Sequence, residues 1–416
     1  MDKGQKKKIV ILGGGFGGLY TYLSLKKQFK KDEIDITIVN RTNYFLFTPL
    51  LHEVATGSIA HHQVVESIRQ IIYKGNATLH VAELMSVDCE RKIVTTSIAE
   101  IPYDILVVAL GATTNFFNAP GAQENCFVLK DLHDAIALRT AFIEAFEKAS
   151  EIKDPQARKK VLSFAIVGGG ATGVELVSET ADLFLNTFSK YYRGLIKTSD
   201  ITLSIINRDP ELLNVFHPRL RKNALRVLRH NGVNVILNTG VKEVKKNGIV
   251  LADDSLLEAN LVVWTAGVKP NVPAFAHPVA QDPSGRIVVN SSLQILECPN
   301  VFVIGDMASL AGKNGKALPM LAQVAVRQGT HTGKNIKRLL EGQELMPFVY
   351  RSQGELASLG QWHAVANIGG IRFSGAFAWF LWRTIYLFKF LSGSKKIKIA
   401  VDWTVNLFYP RDITKA

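Results

Sequence analysis

Short apolar runs closed by glycine recur along this chain and alternate with stretches of helical spacing. Lys6 opens KKKIVILGGGFGGLYTYLSLKK, which reads as a basic lead, an apolar strand, a glycine cluster and a helix. From Lys159, KKVLSFAIVGGGATGVELVSETADL repeats the same order of parts, and this duplication is the main organising signal. IDITIVNR and ITLSIINR each predict a second strand after their cluster. IPYDILVVALGATTN and LVVWTAGVKPN predict further strands ending in glycine beside small residues, and NVFVIGDMASL predicts a buried strand ending at Gly305 and Asp306.

Each cluster fits GxGxxG, with Gly13, Gly15 and Gly18 in the first and Gly168, Gly170 and Gly173 in the second. One glycine makes the tight turn, another lets the backbone approach a pyrophosphate, and the third lets helix and strand pack closely. The helix start adds N–H groups and partial positive charge for phosphates. Two such clusters in strand-to-helix context predict an α/β chain with two Rossmann-like dinucleotide-binding domains.

The second strand of a Rossmann unit commonly ends in an acid that binds a ribose. Here those positions hold Asn40 and Asn207, the latter followed by Arg208. An amide can still bond a ribose hydroxyl, but it does not repel a 2′-phosphate, and an adjacent arginine attracts one. The expectation is weak discrimination against NADPH; the plainer reading makes Asn207 and Arg208 a solvated strand end. Asp306, at the carboxyl end of its strand, is placed either to bond ligand hydroxyls or to cap the next helix.

Near the C-terminus, GAFAWFLWRTIYLFKFLSG is apolar and aromatic but contains Arg383 and Lys389. Spanning a bilayer takes about 20 mostly apolar residues, so this segment is expected to lie on a membrane rather than cross it. In KKIKIAVDWTVNLFYP, helical spacing puts Lys395, Lys398, Asp402 and Asn406 in a polar stripe opposite Ile399, Val401, Trp403 and Val405. Trp379, Trp382 and Trp403 then suit an interfacial belt, with nearby lysines favouring anionic lipid. The same faces also suit core packing or the contact of a homodimer.

The 416 residues are 47% hydrophobic and 20% charged, enough for several cores and without a disordered tract. The net charge of +13 calls for acidic partners, but no nucleic-acid module is present, so nucleic acid is excluded in favour of phosphates and lipid. Cys89, Cys126 and Cys298 match neither a redox pair nor a zinc spacing, which argues against a disulfide reductase. Glycines interrupt the N-terminal apolar run, so no secretory signal is read and a cytoplasmic location is expected.

Taken with NYFLFTPLLHEVATG from Asn43, the VELVSE after the second cluster, WTAGV, VIGDMA and PMLAQVAVRQG from Pro319, the chain resembles the type II NADH:quinone oxidoreductases, non-pumping flavoproteins of the two-dinucleotide superfamily. The resemblance implies an FAD-binding domain in residues 1–120 and 268–345, an NAD(P)H-binding domain in 121–267, and a membrane-associating region in 346–416. It implies that Gly13, Gly15 and Gly18 cradle FAD, with Asn40 at its ribose position, Asp306 on the ribityl chain, and Thr48 and Pro49 beside the flavin. Gly168, Gly170 and Gly173 would hold NADH. Glu175 would sit where nicotinamide and flavin meet, positioning the one or relaying a proton; as a structural residue it is an early helical acid. The family's quinone motif AQxAxQ matches Ala322 and Gln323, but Arg327 stands where a second glutamine is usual, placing a fixed charge near the acceptor. A peripheral enzyme on the cytoplasmic face of the cell membrane follows, moving electrons from NADH, with NADPH as a second donor, to a membrane quinone without a metal. The alternatives are a sulfide:quinone oxidoreductase, which needs cysteines at the flavin, and a flavin-binding redox sensor.

Overall fold

The computed structural model describes residues 6–312 and 315–414. In chain order the elements that matter begin with β1 (Lys7–Leu12), α1 (Phe16–Gln28), β2 (Ile34–Asn40), α2 (Leu51–Ala55), β3 (Ala77–Val81) and β4 (Ile105–Val108). Then come β5 (Cys126–Val128), α3 (Leu132–Ser150), β6 (Ser163–Val167), α4 (Ala171–Asp182), β7 (Thr202–Ile206), β8 (Asn234–Ile236) and β9 (Leu261–Trp264). The last part holds β10 (Val301–Val303), α5 (Ala322–Leu340), β11 (Glu355–Ser358), β12 (Ala364–Ile368), β13 (Ile371–Ser374), α6 (Ala376–Lys389) and α7 (Gly393–Val405).

Two compact units result, Met1–Leu46 with Val65–Thr113 and Val268–Ser352, and Phe47–Val64 with Thr114–Gly267 and Gln353–Ala416. The first contains a parallel sheet in the order β10-β4-β1-β2-β3. All of β4 and the last four residues of β1 are buried. A strand covered on both faces needs apolar side chains at every position, which is why these runs lack alternation. α1 packs along α5 at very short range. A Cβ on Gly329 would lie 2.3 Å from the Gly17 carbonyl oxygen, and Ser24 Oγ donates to the Thr330 carbonyl at 2.9 Å.

The second unit repeats the plan as a parallel sheet β5-β9-β6-β7-β8, with β6 and β9 buried throughout. α3 starts with a reciprocal cap between Asp131 and Asp134. The excursion of Phe47–Val64 into this unit differs from a reading that keeps residues 1–120 together. Its cause is α2, whose five residues are all buried and which packs against α3 and α4.

At the C-terminus an antiparallel β11-β12-β13 meander leads into α6 and α7, and no helix among the described residues is long and apolar enough to cross a membrane. The orientation of these helices corrects the tryptophan-belt expectation. Trp379, Trp382 and Trp403 are buried, whereas Phe377, Phe380, Phe388, Ile397, Val401 and Val405 are exposed. The polar stripe holds α7 to its own unit: Gln63 Nε2 donates to Asp402 Oδ2 at 2.6 Å, Lys395 Nζ bonds the His62 carbonyl, and Asn406 bonds the Ser58 carbonyl. Satisfying the Ser58 carbonyl and the buried Gln63 amide outweighs presenting those groups to water, so the helix rolls until part of its apolar face looks outward.

Candidate functional site

In the first unit, β1 runs into Gly13, whose φ of 101° and distance of 2.3 Å from a built Cβ to the Ala109 carbonyl oxygen both require glycine. A Cβ on Gly18 would lie 1.9 Å from the Gly13 carbonyl oxygen, so the turn closes only without a side chain there. At Gly15 a Cβ meets nothing within 4 Å. The fold itself therefore tolerates a side chain at Gly15, and the open space beside its backbone is available to a ligand. α1 begins there with no side-chain cap and no acid in its first turn, which suits an anionic phosphate.

The second cradle repeats this geometry at β6 and α4. Gly168 has φ of 116°, a Cβ on Gly173 would meet the Gly168 carbonyl oxygen at 1.9 Å, and Gly170 again faces open space. α4 too lacks a side-chain cap and a first-turn acid. Both sets of residues fit a bound dinucleotide.

The two asparagines, expected at ribose positions, also tie down their own loops. Asn40 Oδ1 accepts from Gly14 N at 2.8 Å and its Nδ2 donates to the Thr42 carbonyl at 2.9 Å. Asn207 Oδ1 accepts from Gly169 N at 3.0 Å and its Nδ2 donates to the Glu211 carbonyl at 2.9 Å. Each amide uses both ends to lock the glycine loop. A carboxylate could not, because its second oxygen would face carbonyls. Arg208, by contrast, has 85% of its side chain exposed.

Asp306 is half-buried within the turn Gly305–Met307 at the end of β10. Ala322 and Gln323 open α5. Arg327 is anchored, its guanidinium on the Arg351 carbonyl and 5.6 Å from the Tyr350 ring centre. Sequence reasoning missed Gln328, which is buried and accepts from Gly305 N at 2.6 Å, fixing the turn that carries Asp306. It directly follows Arg327 in the AQVAVRQG motif.

Thr48 and Pro49 form a short turn leading into α2, in the second unit, and α2 brings His52 and Glu53 to α4. Glu175 is 7% exposed; Ser358 N donates to its Oε1 at 3.1 Å and His52 Nδ1 lies 3.9 Å from its Oε2. Burial pushes Glu175 up to about 8, opposed by the Ser358 N–H and the Trp382 indole and reinforced by Glu53 and Glu179. Burial likewise lifts Glu53 and Asp182 to about 7, with the charge of Glu179 adding to both. Glu179 is the exception: burial would raise it, but Arg411 Nη2 at 2.7 Å holds it below the usual carboxylate range. His52 is kept neutral, burial pushing it down to about 4. Arg383 stacks 3.6 Å from the Trp379 ring centre, and Trp403 Nε1 donates to Glu53 Oε2 at 2.6 Å. The sequence did carry a signal for part of this cluster. Glu175, Glu179 and Asp182 stand at i, i+4 and i+7 of a helix buried from Gly173 to Asp182, a spacing that aligns them on one face.

Cys89 and Cys126 are held as neutral thiols. Burial pushes Cys126 and Cys89 each up to about 12, away from the thiolate that a sulfur-transferring site needs.

The family model for pyridine nucleotide-disulphide oxidoreductases matches residues 7–329, and that for the NDH2 C-terminal domain matches 352–412. The type II NADH:quinone oxidoreductase Ndh of Mycobacterium tuberculosis is 32% identical, over 98% of this chain and 89% of its own. The type II NADH:quinone oxidoreductase of Staphylococcus saprophyticus is 31% identical, over 92% of this chain and 94% of its own. Among solved structures, NDH2 from Plasmodium falciparum in complex with NADH superposes with a TM-score of 0.92 at 23% identity, covering 99% of this chain and all of that one, which establishes the shared fold. The chain thus belongs to the type II NADH:quinone oxidoreductases, within the pyridine nucleotide-disulphide oxidoreductase family.

Proposed function

We propose that the chain oxidises NADH and reduces a membrane quinone, with FAD in the first cradle and NADH in the second. The supporting observation is the pair of identically built glycine loops, each closed against its own backbone and each leaving one glycine facing open space. FAD, when bound, supplies the two-electron chemistry that links nicotinamide to quinone. The chain's own residues bind, align and manage protons. In this reading Gly13, Gly15 and Gly18 hold the FAD pyrophosphate, Asp306 accepts from a ribityl hydroxyl, and Thr48 and Pro49 border the flavin. Gly168, Gly170 and Gly173 hold NADH, while Asn40 and Asn207 act indirectly by fixing the loops. Ala322 and Gln323 meet the quinone, and Arg327, tethered at Arg351, supplies a stationary charge that biases which acceptor is taken.

The balanced reaction, NADH + H⁺ + quinone → NAD⁺ + quinol, draws one proton from the medium. Glu175 is the acid we assign to deliver it, since a buried carboxyl titrating near neutrality can both give and regain a proton at working pH. Stopped-flow mixing tests the whole reading: NADH bleaches the flavin, and a short-chain ubiquinone analogue then restores it. A flavoprotein that NADH reduces but quinone does not reoxidise would be the sensor, and the proposal would fall. NADPH is expected to reduce the flavin within about tenfold of NADH, and Arg208→Ala to slow NADPH selectively, because only NADPH offers that cation a 2′-phosphate.

We also place the exposed face formed by Phe377, Phe380, Phe388, Ile397 and Val401, with Lys398 beside it, against an anionic lipid surface on the cytoplasmic side. Sedimentation with phosphatidylglycerol vesicles checks this. Replacing Phe380 and Phe388 together by Ser is expected to weaken vesicle binding roughly tenfold while leaving flavin content intact; undiminished binding would count against it.

A further inference from the structure

The second unit holds more buried acid than proton delivery by Glu175 alone uses. His52 and Glu53 come from α2, Glu175, Glu179 and Asp182 from α4, Trp382, Arg383 and Tyr386 from α6, Trp403 from α7, and Arg411 from the segment after it. Four carboxyls against two guanidinium groups leave an excess of acid that a low-dielectric interior does not hold fully ionised. Arg411 is committed to Glu179 at 2.7 Å. Arg383, for its part, lies between the Trp379 and Trp403 rings, 3.6 and 5.1 Å from their centres.

Two further atoms stand out on the residues beside Glu175. His52 Nε2 and Ser358 Oγ are buried with no hydrogen-bond partner, on residues 3% and 0% exposed. Both belong to the residues that flank the Glu175 carboxyl, His52 through its Nδ1 and Ser358 through its backbone N–H. Unpaired buried polar atoms are costly and are kept where something must be accommodated.

We propose that Glu53 is the positioning acid that reloads Glu175 with a proton between turnovers, so that the His52, Glu53 and Glu175 group acts as a buried proton store for quinone reduction. This rests on Glu175 being the group that protonates the quinone. In each cycle the Glu175 O–H bond breaks as its proton goes to a quinone oxygen. The Glu53 proton then passes to the Glu175 carboxylate, and Glu53 recovers one from water. Trp403 Nε1 holds the Glu53 carboxyl in place throughout.

The test uses the flavin-loaded enzyme and a short-chain ubiquinone analogue at pH 6 to 9. In Glu53→Gln, flavin reduction by NADH stays within about twofold of wild type. The first quinol per enzyme forms at the wild-type rate, and at pH 8 later turnovers slow about tenfold, less than the loss of a general acid itself because water still reloads Glu175 slowly. A wild-type steady state with an unchanged pH profile, or a slowing shared equally by the NADH half-reaction, overturns the proposal. Glu175→Gln separates the two ideas. If it leaves the first quinol unaffected, the assignment of Glu175 fails; if it slows the first quinol while Glu53→Gln behaves as wild type, only the reloading role fails. Trp403→Phe provides a second variant that keeps the carboxyl. Removing the indole N–H that lowers Glu53 moves the alkaline limb of the steady-state profile to higher pH, and an unmoved limb counts against Glu53.

Discussion

Gly15→Val is expected to yield a folded protein that purifies with about a tenth or less of the wild-type flavin content, since its side chain takes the room the backbone leaves for a pyrophosphate. Gly170→Val is expected to keep its flavin but lose reduction by NADH at any practical concentration. The reasoning turns on which glycines the fold itself needs. Gly13 and Gly18 are required by the chain, because added Cβ atoms would strike carbonyl oxygens at 2.3 and 1.9 Å. At Gly15 and Gly170 the backbone is extended at negative φ and a Cβ meets nothing within 4 Å. A defect at these two positions therefore reports on the ligand and not on the loop. Flavin absorbance per chain and NADH-driven bleaching measure the pair; full flavin in Gly15→Val would contradict the assignment of the first cradle.

Glu175→Gln is expected to cut steady-state quinone reduction about 100-fold, the lower range for removing a general acid, while flavin reduction by NADH changes little. It carries a second signature in stability. Folded Glu175 titrates at about 8 against 4.5 for the group in the open. Between those values the folded state keeps a proton that the unfolded state has lost, so the stability fully present below pH 4.5 is lost as pH rises through 8. Glutamine has no proton to lose. The variant should accordingly melt a few degrees above wild type at pH 9, in the range of roughly 2 to 4 °C per kcal/mol for domains of this size, and close to wild type at pH 4.5. Calorimetry across that range decides it, and parallel melting curves at both ends would show that Glu175 is ionised in the folded protein.

Much of the fold was legible because strands buried on both faces leave unbroken apolar runs, and Lys7–Leu12, Ile105–Val108, Ser163–Val167 and Leu261–Trp264 all show them. The glycine clusters were legible for the same kind of reason, since a positive φ and a close backbone approach leave few choices of residue. What could not be read was where a side chain turns once several partners compete for it. Asn40 and Asn207 stand where a ribose contact is usual, yet the peptide groups of their own loops take both ends of the amide. Helical spacing separated the polar and apolar residues of Gly393–Val405 but could not say which side faces the protein; that depends on Gln63, His62 and Ser58, more than 300 positions earlier. The acid cluster was half visible. Its α4 members share a helical face, whereas His52, Glu53, Arg383 and Arg411 join it only through long-range packing.

The seating of Arg411 has a practical consequence for anyone handling this protein. Its side chain is 12% exposed and it is the foremost cation keeping Glu179 ionised, although it follows the last helix of the unit. Proteolytic trimming or a short expression truncation that stops after Tyr409, usually judged by whether the product stays soluble, would strip a counter-ion from a dry interior. Preparations clipped in this way would differ in kinetic pH behaviour from intact ones while running nearly alongside them on a gel, so intact mass belongs next to every measured rate.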